Sequence, residues 1–310
     1  MQPVDSGSAS DHMPTAAITG SSGLIGTALT SSLRADGWRV LPMVRRPARD
    51  SGEIAWQPGS SLDPSSLASV DAVIHLAGVG VGDHRWTKDY KRQIKDSRVL
   101  GTDTIAKAMA AMESPPAVLV SASAIGFYGD TGNRKVDESD PAGEGFLAEV
   151  VTEWEAAAQP AVDAGIRVVH PRTGLVVSKD GGAWARLFPF FRAGVGGRLG
   201  PGDQYWSFIS MRDEVRAIRF LMDTPSLAGP VNLVTPEPRT NAEVTRAMGE
   251  VLSRPTALPV PAFALRAYLG GFSTEVLSST RVIPAALQRA GFEWLDPTIE
   301  QAIEAARGSH

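Results

Sequence analysis

The chain reads Ala16-Ala17-Ile18-Thr19-Gly20-Ser21-Ser22-Gly23-Leu24-Ile25-Gly26, and continues through Leu33 and Gly37 to Arg39-Val40-Leu41-Pro42-Met43-Val44. The apolar run before Gly20 predicts a strand. Helical spacing from Leu24 to Leu33 predicts a helix stopped by Gly37, and the second apolar run predicts another strand. Three glycines separate the first strand from the helix in the pattern Gly-x-x-Gly-x-x-Gly. The first closes a tight turn, the second lets backbone approach a bound group, and the third lets helix pack on strand. A helix starting there presents unpaired N–H groups and a partial positive charge, which suit phosphate oxygens. The expected cradle is Gly20, Ser21, Ser22, Gly23, Leu24, Ile25 and Gly26.

The same alternation extends outward from this unit. A short strand is expected at 53–56, and a buried parallel strand at 71–78 ends in the small residues Leu76-Ala77-Gly78. A long helix over 88–112 is broken by Pro115-Pro116, and a strand over 117–120 brings Ser121-Ala122-Ser123 to its carboxyl end. A helix over 145–164 and a strand over 166–170 before Pro171 follow. Alternating strands and helices over this length predict an α/β fold, a Rossmann-type doubly wound parallel sheet, whose strand carboxyl ends collect ligands. Residues 14–235 are assigned to that domain, with a glycine-punctuated insertion around 172–210 building a substrate lobe. Residues 236–306 form a smaller C-terminal helical lobe opened by a Thr240/Glu243 capping box. Residues 1–13 are taken as a flexible extension or expression remnant.

Bulk composition narrows the function. Hydrophobic residues make up 43% and charged residues 21% of the chain, as in ordinary globular proteins. A net charge of −4 leaves no basic surplus for a nucleic-acid partner. The absence of cysteine excludes disulfides and thiolate metal sites and fits a reducing compartment, so a cytoplasmic location is expected. No run of about 18 apolar residues predicts a membrane span, and no secretory leader is visible. No metal site is expected, because none of the five histidines has ligand spacing. A hydrolase is disfavoured, since Gly-x-Ser-x-Gly is absent.

Arg45 and Arg46 directly follow the second strand, 19 residues past Gly26 in the case of Arg45. An acidic residue there would accept from a ribose 2′-hydroxyl, whereas arginine pairs with a 2′-phosphate. The expected cofactor is therefore NADP(H). The alternative is a pair of solvated loop arginines.

With the glycine turn and arginines stand His75-Leu76-Ala77-Gly78, Arg85-Trp86-Thr87, Ser97-Arg98-Val99-Leu100-Gly101-Thr102, Ser121 through Gly129, Trp154-Glu155, Trp206-Ser207-Phe208-Ile209 and Arg281-Val282-Ile283-Pro284. These segments resemble the extended short-chain dehydrogenases, which include nucleotide-sugar epimerases, and more narrowly the atypical epimerase-like branch of SDR39U1 or YfcH type. The tail from Arg254 resembles that branch's DUF1731-like C-terminal domain. The resemblance implies that Leu76, Ala77 and Gly78 line the nicotinamide side and that Arg98 reaches cofactor or substrate. It also implies a small-molecule substrate and a homodimer.

The resemblance fails at one place. Relatives use a Tyr-x-x-x-Lys pair on one helix face for proton exchange with the substrate. Here Phe146 stands where the tyrosine would be and Val150 where the lysine would be. The remaining catalytic candidates are Ser123, which would orient a substrate oxygen, Tyr128 and Glu149. Two readings follow: an NADP(H)-dependent oxidoreductase or epimerase-like enzyme with altered acid/base residues, or an NADPH-binding sensor or scaffold that has lost catalysis. His75 is expected to be a hydrogen-bonded core residue.

Overall fold

The computed structural model describes residues 13–308, so the expected N-terminal extension lies, apart from Met13, outside the described residues. Strands β1 (Thr15–Thr19), β2 (Arg39–Val44), β3 (Ile54–Ala55), β4 (Ala72–His75), β5 (Val118–Ser121), β6 (Ser123–Ala124), β7 (Arg167–Thr173), β8 (Leu175–Val177), β9 (Tyr205–Trp206), β10 (Phe208–Ser210), β11 (Gly229–Leu233) and β12 (Arg239–Thr240) alternate with helices. The helices are α1 (Leu24–Ala35), α2 (Lys88–Ala110), α3 (Phe146–Ala156), α4 (Gln159–Asp163), α5 (Gly182–Arg192), α6 (Met211–Asp223), α7 (Asn241–Leu252), α8 (Ala262–Leu269), α9 (Ser273–Leu277), α10 (Ala285–Arg289) and α11 (Ile299–Gly308).

The main sheet runs β11-β7-β5-β4-β1-β2-β3, with β6 beside the end of β7, and its pairings are parallel. The expected Rossmann-type α/β architecture is thus present. Its order reverses at β1, which lies between β4 and β2, and that reversal opens the crevice where such sheets bind ligands.

Side chains alternate across the sheet because successive strand residues point to opposite faces. Ile18, Ile74, Val120 and Val169 pack with Leu29 and Leu33 of α1 and Ile218 and Leu221 of α6. On the other face Ala17, Val73, Leu119 and Val168 pack with Ile105 and Met109 of α2 and Ala161 of α4. Each fully buried Leu or Ile contributes about 1.5–3 kcal/mol to this three-layer core. A separate apolar cluster joins Trp184 and Phe188 of α5, Trp206, Met248 of α7, Leu265 of α8 and Ile303 of α11.

Two element boundaries differ from expectation. The single helix expected over 145–164 divides into α3 and α4, with Pro160 in the first turn of α4. Proline has no N–H to continue the α3 ladder but fits a helix start. Strand β7 continues through Pro171 to Thr173. Its register with β5 ends at Val169, and pairing with β6 resumes at Arg172, so Pro171 falls where no neighbouring strand on that side needs its N–H. The capping box forms as expected, with the Glu243 amide donating to Thr240 Oγ1 and the Thr240 amide to Glu243 Oε2. Among the described residues no helix is long and apolar enough to cross a membrane.

Candidate functional site

The turn after β1 owes its shape to its glycines. Gly20 has φ +65°, and a Cβ there would lie 3.0 Å from the Ala77 amide nitrogen and the Leu76 carbonyl carbon. Only glycine takes this backbone angle at no steric cost and permits so close an approach of β4's end. At Gly26 a Cβ would lie 2.1 Å from the Gly20 carbonyl oxygen, so the third glycine is demanded by the turn folding back over the helix. No side chain caps α1 at Gly23, which leaves its first amides open toward the crevice.

A polar knot that the sequence reading did not single out holds the ends of β1 and β4 together. Thr19 Oγ1 accepts from the Leu76 and Ala77 amides at 3.0 and 3.1 Å and lies 2.7 Å from His75 Nδ1. The Thr19 hydroxyl thereby ties both amides and the imidazole into one buried cluster. His75 is fully buried, and burial first, then Arg98, lowers its pKa to about 3. It is a hydrogen-bonded core residue, as expected.

Above this knot lies a cavity of about 790 Å³ lined by Gly20, Ser21, Ser22 and Gly23 on one side, Arg45 and Arg46 at the end of β2, and Leu76, Ala77 and Gly78 at the end of β4. The remaining cradle residues meet the crevice only through the amides that open α1. Leu24 packs against Gly181, Ile25 joins the apolar core, and Gly26 is buried beneath the turn. The two arginines also divide. Arg46 makes a two-pronged ion pair with Glu53 at 2.7 Å on each oxygen, and Glu53 is held at about 2, chiefly by that hydrogen bond. Arg45 is exposed, and among the described residues its guanidinium has no hydrogen-bond or ion-pair partner. Trp56 and Glu53, which the sequence reading did not assign to the site, also line the cavity.

Arg98 sits under Gly78, where a Cβ would lie 3.3 Å from its guanidinium carbon. One nitrogen donates to the Val79 and Ile94 carbonyls, and the group lies 5.1 Å from the Trp154 ring centroid. Burial lowers its pKa to about 10, still cationic at neutral pH. No carboxylate pairs with it among the described residues.

The catalytic candidates do not converge. Ser123 Oγ donates to Glu155 Oε1 at 2.5 Å, and Glu155 forks onto Arg172 through two bonds of 2.8 Å. Arg172 also donates to Tyr128 Oη, which donates in turn to Asn232 Oδ1, both at 2.9 Å. Arg172, Tyr128 and Asn232 are each 3% exposed or less. Tyr128 is held within this buried chain: burial pushes its phenol up to about 12, and both its hydrogen-bonding directions are spent inside the protein. Glu149 stands apart from it, exposed on α3, and does not line the cavity. Phe146 packs on Trp86 with ring centroids 5.1 Å apart, and Val150 is buried against Tyr90 and Ile94. No group of three or more potential metal ligands exists among the described residues.

Comparison with known proteins agrees with this geometry. The model of the NAD dependent epimerase/dehydratase family matches residues 16–233, and a domain of unknown function, DUF1731, matches residues 260–306. An epimerase family protein of Mycobacterium bovis, Mb2239, is 48% identical over 93% of this chain and 95% of its own length. The chloroplastic SDR39U1 homologue of Arabidopsis thaliana is 38% identical over 94% of this chain and 86% of its own. The crystal structure of human epimerase family protein SDR39U1 (isoform 2) with NADPH superposes with a TM-score of 0.87 at 30% identity, covering 95% of this chain and all of that one. The 790 Å³ crevice at the sheet's switch point, its glycine cradle and these matches carry one conclusion: the chain belongs to the NAD dependent epimerase/dehydratase family, in the SDR39U1-like branch that adds a DUF1731 domain.

Proposed function

We propose that the protein binds NADP(H) in the cavity at the switch point and works as an oxidoreductase or epimerase-like enzyme on a small polar substrate. The carrying observation is the unpaired Arg45 guanidinium at the cavity's edge, directly after β2. A carboxylate there would repel a 2′-phosphate, and Glu53 is already committed to Arg46. The open amides of α1 suit a diphosphate, and the NADPH named in the human SDR39U1 structure supports the same assignment.

When bound, the nicotinamide supplies or accepts a hydride. The chain's own part is to hold Leu76 and Ala77 through Thr19, and to keep the Arg98 charge beneath Gly78. An uncompensated cation in a low-dielectric setting stabilises negative charge developing on a nearby oxygen. Ser123, with its proton directed to Glu155, is oriented to accept from a substrate hydroxyl. The sensor reading draws on Phe146 and Val150, neither of which carries a proton.

Calorimetric titration with NADPH and NADH tests the cofactor. NADPH should bind at least about tenfold more tightly, the difference a charge-assisted phosphate contact makes. Arg45→Ala should abolish that preference and leave NADH binding unchanged. Equal affinities in the unaltered protein would refute the assignment. Consumption of NADPH with any of a broad carbonyl panel favours the enzyme, and its absence across the panel favours the sensor.

A further inference from the structure

The run Gly78-Val79-Gly80-Val81-Gly82 leaves the crevice wall at Val79 and forms no strand or helix of its own. Four consecutive carbonyls in it accept from side chains instead. Arg98 holds Val79 at 2.9 Å, Tyr90 holds Gly80, Trp86 Nε1 holds Val81 at 2.7 Å, and Arg186 holds Gly82 at 2.6 Å. The first three donors come from the segment just beyond the loop, so they pin it to its own helix, α2. The fourth comes from α5.

Helix α5 touches both walls of the crevice. At its start a Cβ on Gly181 would lie 3.0 Å from Leu24 Cδ2, and Leu24 opens α1 directly after the Gly20–Gly23 wall. One turn into the helix, Arg186 bonds to Gly82 and pairs with Asp83 at 3.3 Å, just past the Leu76–Val79 wall. Trp184 and Phe188 fix α5 in the apolar cluster it shares with α7, α8 and α11, so helix and lobe move as one. The loop meets that lobe in return: Arg85 donates to the Ala267 carbonyl of α8 at 2.9 Å, and a Cβ on Gly82 would stand 3.1 Å from the Phe272 ring. Each side thus sends one arginine to a backbone carbonyl of the other. Both arginines are exposed, where such bonds are weak enough to part and re-form.

We propose that Arg85 and Arg186 form a reciprocal clasp that holds α5 and its lobe closed across the crevice, and that the dinucleotide enters and leaves when the clasp opens. Gly181 and Gly182, the second with φ +68°, supply the joint at the α1 end. The bonds from Arg98, Tyr90 and Trp86 keep the Gly78–Gly82 loop in place as the catch while the lobe swings. Neither clasp arginine lines the cavity, so the clasp governs the rate of exchange and leaves affinity alone. The inference rests on that cavity being the NADP(H) site.

Stopped-flow NADPH fluorescence on the unaltered protein and on the R85A/R186A double variant tests it. Entry and release rates should both rise about fivefold or more in the double variant, while Kd stays within about twofold. The chain has no cysteine, so D83C/R186C joined by a short bis-maleimide closes the clasp covalently. Cross-linking should slow both rates about tenfold or more relative to the same protein before the reaction. Rates unmoved in the double variant, or unmoved by the cross-link, overturn the proposal. A weaker Kd with an unchanged entry rate also overturns it, because the arginines would then be contacts to the cofactor itself. Failure of NADPH to bind sinks the cofactor reading. Amide hydrogen exchange over 262–272 in the empty protein then judges the clasp separately: it should quicken in the double variant, and unchanged exchange overturns the clasp.

Discussion

Gly26→Ala sets two effects of opposite sign against each other. Gly26 lies in the first turn of α1, where replacing glycine by alanine ordinarily stabilises a helix by about 1 kcal/mol. The added Cβ, however, would sit 2.1 Å from the Gly20 carbonyl oxygen and 2.8 Å from Ser21 Cα, both backbone atoms that no rotamer change relieves. Overpacking of this kind costs about 1–3 kcal/mol and sometimes more, and contact with rigid backbone belongs at the upper end. The clash should win, leaving a net loss of about 2 kcal/mol. Gly23→Ala is the control, because its Cβ would stand 3.2 Å from the same oxygen and needs only a small adjustment. Urea unfolding followed by tryptophan fluorescence measures stability, and NADPH titration measures the cradle. Gly26→Ala should lose both stability and NADPH affinity, while Gly23→Ala should lose little stability. A Gly26→Ala protein as stable as its parent, binding NADPH as tightly, would refute the steric reading of the turn.

Thr19→Val keeps the shape of the knot but strips two amides of their acceptor and His75 of its hydrogen-bond partner; a loss of about 1–3 kcal/mol is expected in urea unfolding, with weaker NADPH binding. Tyr128→Phe should cost about 1–2 kcal/mol, because Arg172 and Asn232 each lose a partner, while any NADPH turnover survives; loss of turnover with stability intact would restore Tyr128 to the chemistry. Glu214 is wholly buried, and burial raises its carboxyl from 4.5 to about 8. The folded state therefore binds the extra proton between those values, so this group's contribution is complete below pH 4.5 and drains away as pH rises through about 8. Glu214→Gln should flatten that decline, and an unchanged pH profile of the melting temperature would contradict it.

The sheet and the cradle were legible because their signals are local. Gly20 to Gly26, the β2 run before Arg45 and the Thr240/Glu243 box each lie within a single turn or element, where spacing alone carries the physics. The Ser123–Glu155–Arg172–Tyr128–Asn232 chain was not, since it joins residues from five segments whose approach depends on sheet order. Tyr128 looked like a proton carrier in the sequence for want of any sign that Asn232, 104 residues away, would claim its hydroxyl. The replacement of the tyrosine and lysine by Phe146 and Val150 was plain in the sequence, but Lys91 over the Phe146 ring was not, because it arrives from α2. Of the two adjacent arginines, only three-dimensional placement separates the one held by Glu53 from the one left open.

That separation bears on how such loops are read. Three arginines, Arg45, Arg46 and Arg49, crowd the segment after β2, and simple counting would credit all three to phosphate capture. The Arg46–Glu53 fork acts instead as a buckle that shortens the loop and removes one cation from the tally. Preference for one dinucleotide over another would then respond to editing the acid as well as the bases: releasing the buckle would set a second guanidinium loose beside the first, tightening the grip on a phosphorylated ribose while slackening the loop that presents it.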